Sequence, residues 1–117
     1  MGHNHQLLED LKGPTMELTQ AVPSVMAGFG RLHSAAMADG EVSAAVKEAA
    51  ALAIAVVKHC DGCIAYHAKA AAKAGATPGQ VAELLGVAIL MEGGPATVYG
   101  PRAWQAYQEF AAAREAA

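Results

Sequence analysis

The sequence has few basic residues and no long apolar run. Its 117 residues include eight lysines and arginines against eleven aspartates and glutamates, which gives a formal net charge of -3, and no basic cluster is present. Electrostatic binding to nucleic acid or to an acidic membrane surface needs such a cluster, so neither partner is expected. The longest apolar stretch, residues 49–57, has nine residues, whereas a helix needs about 20 to cross a bilayer. We therefore expect no membrane partner.

Cysteine is also scarce, and no secretory leader is visible. Only two cysteines occur, and residues 1–13 lack a basic segment followed by an apolar one. These absences predict a cytoplasmic protein. Because structural disulfides are uncommon in the reducing cytoplasm, the two cysteines are better explained by reactivity than by a structural cross-link.

Aromatic residues make up 5% of the chain, and alanine dominates the remaining apolar content. Of 63 hydrophobic residues, 29 are alanine, which leaves 34 larger apolar side chains. Alanine is the strongest helix former, but its methyl group buries little surface. The composition predicts closely packed helices around a thin core, and it favours association between copies of the chain.

Glycine and proline divide the sequence into a compact bundle of about six helices, a single all-α domain over residues 1–117 with residues 1–14 peripheral. No segment alternates between apolar and polar residues as a half-buried strand does. Gly13 and Pro14 are expected to end the first helix, and Thr77 forms a capping box with Gln80 at the start of the fifth. The predicted helices are residues 6–12, 23–37, 43–58, 63–74 and 78–92, and a last one that begins at Pro95 or Pro101.

The segment KHCDGCIAYH, residues 58–67, carries the reactive side chains. Cys60 and Cys63 are three positions apart and His67 follows four later, and on a helix such positions share one face. A Cys-x-x-Cys pair at a helix start can close a small disulfide, and the free amides and positive dipole end of the helix favour a thiolate there. His67 supplies a base within reach of Cys63, as nucleophilic thiol chemistry requires.

Glu48 is the second unusual feature. It lies in a helix that is almost wholly apolar over the next nine positions, where a charge is costly unless it is paired. It either faces solvent, paired with Lys47 or Lys58, or it faces the following helix. If those two helices pack antiparallel, Glu48 approaches His67 and orients the imidazole, as a carboxylate does in a base relay.

Two other interpretations of the motif stay open. Together with His59, the segment offers four potential zinc ligands, although a structural zinc site usually draws its ligands from two separate segments. The cysteines could instead form an inert pair in an alanine-rich core, since free cysteine is often buried. Away from the cysteines, His33 and Tyr66 are expected to be ordinary packing residues.

The pattern resembles the signature of the AhpD-like alkylhydroperoxidases, which belong to the carboxymuconolactone decarboxylase family. The resemblance covers about residues 22–112. Its central part is Glu48, eleven intervening residues, the pair Cys60 and Cys63, three more residues and His67. Downstream it includes Gly75-Ala76-Thr77, Glu83-Leu84 and Gly93-Gly94-Pro95-Ala96.

This resemblance implies an all-helical homotrimer or homohexamer that reduces hydroperoxides or relays electrons to a peroxiredoxin in antioxidant defence. It implies no metal and no bound cofactor, because the electrons come from an external dithiol such as a lipoyl or thioredoxin-like protein. Some members carry a second histidine between the cysteines; Gly62 stands there in this chain, so that role is absent or falls to His59. The decarboxylase branch generally lacks the cysteine pair, which makes lactone chemistry the alternative.

The resemblance also implies a catalytic sequence. His67, oriented by Glu48, takes the proton from Cys63, and the thiolate attacks the peroxide to give a sulfenic acid. Cys60 condenses with this acid, and the external dithiol reopens the disulfide. The position of Cys60 at the helix start favours it as the first attacking thiol instead, so the choice of Cys63 depends on His67.

Overall fold

Six α-helices make up most of the backbone in the computed structural model of the protein, which describes residues 2–116. They are α1 (His3–Ala21), α2 (Pro23–Met37), α3 (Ala44–Val57), α4 (Asp61–Ala74), α5 (Pro78–Glu92) and α6 (Ala96–Ala116). No strand occurs within this range, so the all-α prediction is confirmed. The bounds of α2, α3 and α5 agree with the predicted ones to within one residue. Among the helices of residues 2–116, none is both long and apolar enough to cross a membrane.

Helices α3, α4, α5 and α6 enclose the hydrophobic core. Its largest completely buried side chains are Leu52, Val56, Ile64 and Val81. Between them the helices meet through alanines, among them Ala49, Ala55, Ala68, Ala71, Ala72, Ala88, Ala103 and Ala106. Because methyl groups are small, the helix backbones can approach closely, but each methyl group buries little apolar surface. This closeness lets a side chain on α3 reach one on α4.

Helices α5 and α6 complete the core. Tyr107 and Phe110 of α6 are buried, and the hydroxyl of Tyr107 donates a hydrogen bond of 2.6 Å to the carbonyl of Ala76. The capping box at the start of α5 is present. Met91, near the end of α5, is exposed, and the buried positions of that helix are Val81, Leu85 and Ala88.

Helix α1 is longer than predicted and does not end at Gly13 and Pro14. A proline inside a helix removes one N–H donor, which leaves the carbonyl four residues earlier without a partner. That carbonyl belongs to the exposed Asp10, where solvent can replace the missing bond.

At the N-terminus of α1, the backbone N–H groups of Asn4 and His5 donate to the carboxylate of Glu109 on α6, at 3.3 and 2.8 Å. This contact supplies acceptors for two of the free donors of a helix N-terminus.

Helix α2 carries an apolar stripe that lies on the surface. No residue of α2 is buried, and Val25, Phe29 and Leu32 are each more than 60% exposed. A compact monomer of 11.9 kDa exposes about 5,900 Å², whereas this chain exposes 7134 Å². The stripe is therefore an apolar surface that the rest of the chain leaves uncovered.

Candidate active site

The turn between α3 and α4 positions the two cysteines. Helix α4 begins at Asp61 and not at the predicted Cys63, because Cys60 acts as its N-cap: the Sγ atom of Cys60 accepts the backbone N–H of Cys63 at 3.2 Å. The Asp61-Gly62 pair, which a start at Cys63 would leave outside the helix, forms its first turn. Sulfur therefore lies at the positive end of the α4 dipole, where negative charge is stabilised.

Cys60 and Cys63 form a disulfide, with their Cα atoms 5.2 Å apart. Cys60 is partly exposed and Cys63 is exposed. The interpretation of the pair as inert core residues is therefore wrong. Both sulfurs lie at the surface end of α4, where Cys63 is the more accessible of the two to a reagent in solution.

Glu48 meets His67 across the pair of helices α3 and α4. Nδ1 of His67 lies 2.8 Å from Oε1 of Glu48, and Glu48 is only 6% exposed. The solvent-facing alternative for Glu48 is wrong, and the contact expected from antiparallel packing is present. A buried carboxylate needs such a partner, because an unpaired charge there is expensive. His67 donates to the carboxylate through Nδ1, which fixes the orientation of the ring.

The arrangement provides no set of zinc ligands. The cysteines are bonded to each other, His67 is bonded to Glu48, and His59 is bonded to Glu92. Within residues 2–116, no three side chains of histidine, cysteine, aspartate or glutamate are placed to hold a metal ion. The four side chains of the zinc alternative are therefore divided among three separate contacts.

His33 is a member of the site that sequence reasoning missed. Its Nε2 atom lies 3.9 Å from Oε2 of Glu48 and has no hydrogen-bond partner, although the atom is buried. The exposed ring of Tyr66 packs edge-on against both imidazoles, 6.0 Å from His33 and 5.0 Å from His67 between ring centres. No sequence signal indicated this, because His33 comes from α2, 15 residues before Glu48.

His59 does not join the Glu48–His67 pair. Its Nε2 atom lies 2.8 Å from Oε2 of Glu92 at the end of α5. The ring stacks on Tyr99 of α6, with 4.5 Å between centres and 4° between planes. The guanidinium of Arg102 lies 4.9 Å from the centre of the same tyrosine ring and forms an ion pair of 2.6 Å with Asp61. A second acid–imidazole pair therefore lies on the Cys60 side of the disulfide.

Comparison with known proteins shows the family of the chain. The sequence profile of the Carboxymuconolactone decarboxylase family matches residues 23–116. The chain belongs to the carboxymuconolactone decarboxylase family. The resemblance to its AhpD-like members is thereby supported. Members of this family are enzymes with decarboxylase or AhpD-like peroxidase activity.

Several proteins are similar over most of the chain. A crystal structure of a carboxymuconolactone decarboxylase family protein from Legionella pneumophila superposes with a TM-score of 0.88 at 35% identity, and the match covers 92% of this chain and 96% of that one. An uncharacterised protein of Cupriavidus necator is 44% identical over 74% of this chain and 76% of its own. Uncharacterised protein 4 in the cox locus of Paracoccus denitrificans is 34% identical over 74% of this chain and 78% of its own.

Proposed function

We propose that this family member is a thiol-dependent hydroperoxide reductase or disulfide relay protein that acts in antioxidant defence. The observation that carries the proposal is the Cys60–Cys63 disulfide at the start of α4, one helical turn before His67, which is paired with the buried Glu48 of α3. Such a combination supplies what thiol redox chemistry needs: a thiolate-stabilising position, a second thiol and an oriented base.

In the proposed cycle, Cys63 is the attacking thiol and His67 takes its proton. The thiolate attacks one oxygen of the hydroperoxide, the O–O bond breaks, and His67 returns the proton to the departing alkoxide. This step leaves a sulfenic acid on Cys63 and releases an alcohol. The thiol of Cys60 then displaces the sulfenic hydroxyl as water and forms the disulfide. Solvent exposure of Cys63 supports its choice, since a peroxide can reach it.

An external dithiol completes the cycle. It attacks the protein disulfide, passes through a mixed disulfide and leaves as a disulfide itself, so two electrons and two protons return to Cys60 and Cys63. A lipoyl protein or a thioredoxin-like protein fits this donor role, a peroxiredoxin would receive the electrons in a disulfide relay, and no bound cofactor is needed. Because the cycle needs a supply of dithiols, we place it in the cytoplasm.

We also propose that the protein works as a homo-oligomer, a trimer or a hexamer, with a second copy covering the stripe on α2. The chain exposes about 1,200 Å² more than a compact monomer of its mass, which exceeds the roughly 800 Å² that each partner contributes to a standard interface. Arg31 is the only aspartate, glutamate, lysine or arginine in α2. An apolar face with so little charge suits burial against another copy of itself.

The test of the redox proposal is hydroperoxide consumption by the reduced protein, followed by mass spectrometry of the cysteine peptides. Wild-type protein should form one Cys60–Cys63 disulfide per peroxide consumed, and Cys63→Ser should abolish turnover with a supplied dithiol. Turnover at the wild-type rate by Cys63→Ser would contradict the assignment of the attacking thiol. Full activity of the Cys60→Ser/Cys63→Ser double variant on a lactone would favour the decarboxylase alternative.

A further inference from the structure

Helix α3 ends in a turn that ordinarily takes glycine. His59 has a φ angle of +53°, in the left-handed region that residues with a side chain rarely adopt. Its backbone N–H donates to the carbonyl of Val56 at 3.0 Å, and that of Cys60 donates to Ala55 at 3.3 Å. These two bonds define the Schellman motif, in which the left-handed position is usually glycine. His59 occupies that position, and Cys60 is the next residue.

The end of α4 shows the same turn with the usual residue. There the N–H groups of Gly75 and Ala76 donate to the carbonyls of Ala72 and Ala71, at 3.2 and 2.9 Å, and Gly75 has a φ angle of +90°. The chain thus builds one turn twice, with glycine at one copy and histidine at the other. The histidine costs backbone energy that a glycine would avoid, so its side chain must provide something that glycine cannot.

The contacts of the imidazole show what it provides. It bonds to Glu92 at the end of α5 and stacks on Tyr99 of α6. The charged groups around this ring are Glu92 itself and, across Tyr99, the paired Arg102 and Asp61. Its side chain is 42% exposed, so it does not fill the core. The ring therefore ties the turn that precedes Cys60 to two helices that hold neither cysteine.

We propose that His59 is a positioning residue that holds Cys60 at the N-cap of α4 when the cysteine pair is reduced. In the oxidised protein the S–S bond itself links Cys60 to Cys63. When an external dithiol reduces the pair, two electrons and two protons enter, the S–S bond breaks, and the contacts of His59 with Glu92 and Tyr99 remain. They keep Cys60 close to Cys63 in the open dithiol and so favour its closure to the disulfide. This inference rests on the redox role proposed above for the cysteine pair.

The consequence is a shift of the redox equilibrium. A thiol pair that is held in place closes to the disulfide with less loss of conformational freedom, so removal of the His59 ring should displace the equilibrium with a reference dithiol toward the reduced protein. The strongest interaction that the ring makes is its hydrogen bond to the carboxylate of Glu92. Because the ring is partly exposed to solvent, we expect a shift of about three- to tenfold in the equilibrium constant.

His59→Gly is the decisive variant, because it removes the ring and leaves the turn with the residue that the turn favours. Glu92→Gln tests the acid partner, and Glu83→Gln, an exposed position of α5, serves as its matched control. Each protein is equilibrated with glutathione buffers of graded ratio, and the oxidised fraction is measured by mass spectrometry. Thermal melting of the oxidised and reduced forms follows in parallel.

We expect His59→Gly and Glu92→Gln to favour the dithiol by about three- to tenfold and to lower the melting temperature of the oxidised form more than that of the reduced form. Glu83→Gln should match the wild type. An unchanged equilibrium constant in His59→Gly would overturn the inference, since a purely structural contact stabilises both forms equally. The equilibrium is measured without peroxide, so a wild-type protein that fails to consume peroxide refutes the proposed function separately.

Discussion

Replacement of Glu48 by glutamine tests whether the buried acid controls His67. Oε1 of Glu48 lies 2.8 Å from Nδ1 of His67, and the carboxylate is almost completely buried. Glutamine keeps the size and can still accept the hydrogen bond, but it has no charge to stabilise the imidazolium that forms when His67 takes the thiol proton. Positioned acid–base groups contribute about 10²- to 10⁴-fold to rate. Because Glu48 acts through His67, we expect kcat/KM for hydroperoxide to fall by about 100-fold, at the lower end of that range.

Glu48→Ala should behave differently in stability. It removes the acceptor as well as the charge, and it leaves the Nδ1–H group of His67 without a partner. An unsatisfied polar group in a buried position costs about 1–3 kcal/mol, so we expect a decrease of that size in the free energy of unfolding. Glu48→Gln should lose much less. Urea unfolding of both variants therefore separates the electrostatic role of the acid from its structural one.

The assay is peroxide consumption with excess dithiol, measured across the neutral pH range on protein whose fold is checked by circular dichroism. Glu83→Gln again serves as the control, since it removes one exposed carboxylate without touching α3 or α4. In the Glu48→Gln/His67→Asn double variant, the decrease in rate should not exceed that of His67→Asn alone, because both changes remove one function. A folded Glu48→Gln protein with wild-type kcat/KM would refute the relay.

Three further predictions concern stability and assembly. Burial raises the pKa of Tyr107. The stability linked to the proton of this hydroxyl is therefore present below the ordinary tyrosine pKa of about 10 and is lost as the pH rises through the raised pKa. Urea unfolding below and above the raised pKa should show this loss of stability, and Tyr107→Phe should abolish the loss. Thr77→Ala should cost about 1 kcal/mol in unfolding, because it removes the N-cap of α5, and equal urea midpoints would contradict this. Phe29→Glu and Leu32→Glu should lower the mass measured by sedimentation equilibrium, and a monomeric wild type would contradict the proposed assembly.

Local spacing was enough to predict most of the chemistry-bearing geometry. Glu48 lies on α3, and Cys60, Cys63 and His67 lie at or in α4, the next helix. Two helices joined by a short turn pack side by side. Residues at similar distances from that turn then face each other, which is how Glu48 reaches His67. Helix periodicity fixes the remaining relation, the shared edge of the two cysteines. No contact between distant segments was needed.

The rest of the site depends on contacts that spacing does not specify. His33 reaches Glu48 from α2, and His59 reaches Glu92 and Tyr99 on α5 and α6. Such contacts are set by how helices pack, and alanine-rich surfaces give little sequence record of which faces meet. The extent of α1 was mispredicted for a related reason. Its start depends on the carboxylate of Glu109, more than 100 residues away in the sequence.

Helix α2 connects the uncovered surface to the site. Its apolar residues Phe29 and Leu32 point to solvent, while His33, the residue next to Leu32, lies beside Glu48 with a buried and unpartnered Nε2 atom. Isolated helices of this length are marginal in water and owe their stability to packing. In the oligomer proposed above, a second copy that covers the stripe would therefore also fix His33 against Glu48. Under that proposal, assembly and the geometry of the Glu48–His67 pair are coupled through a single helix.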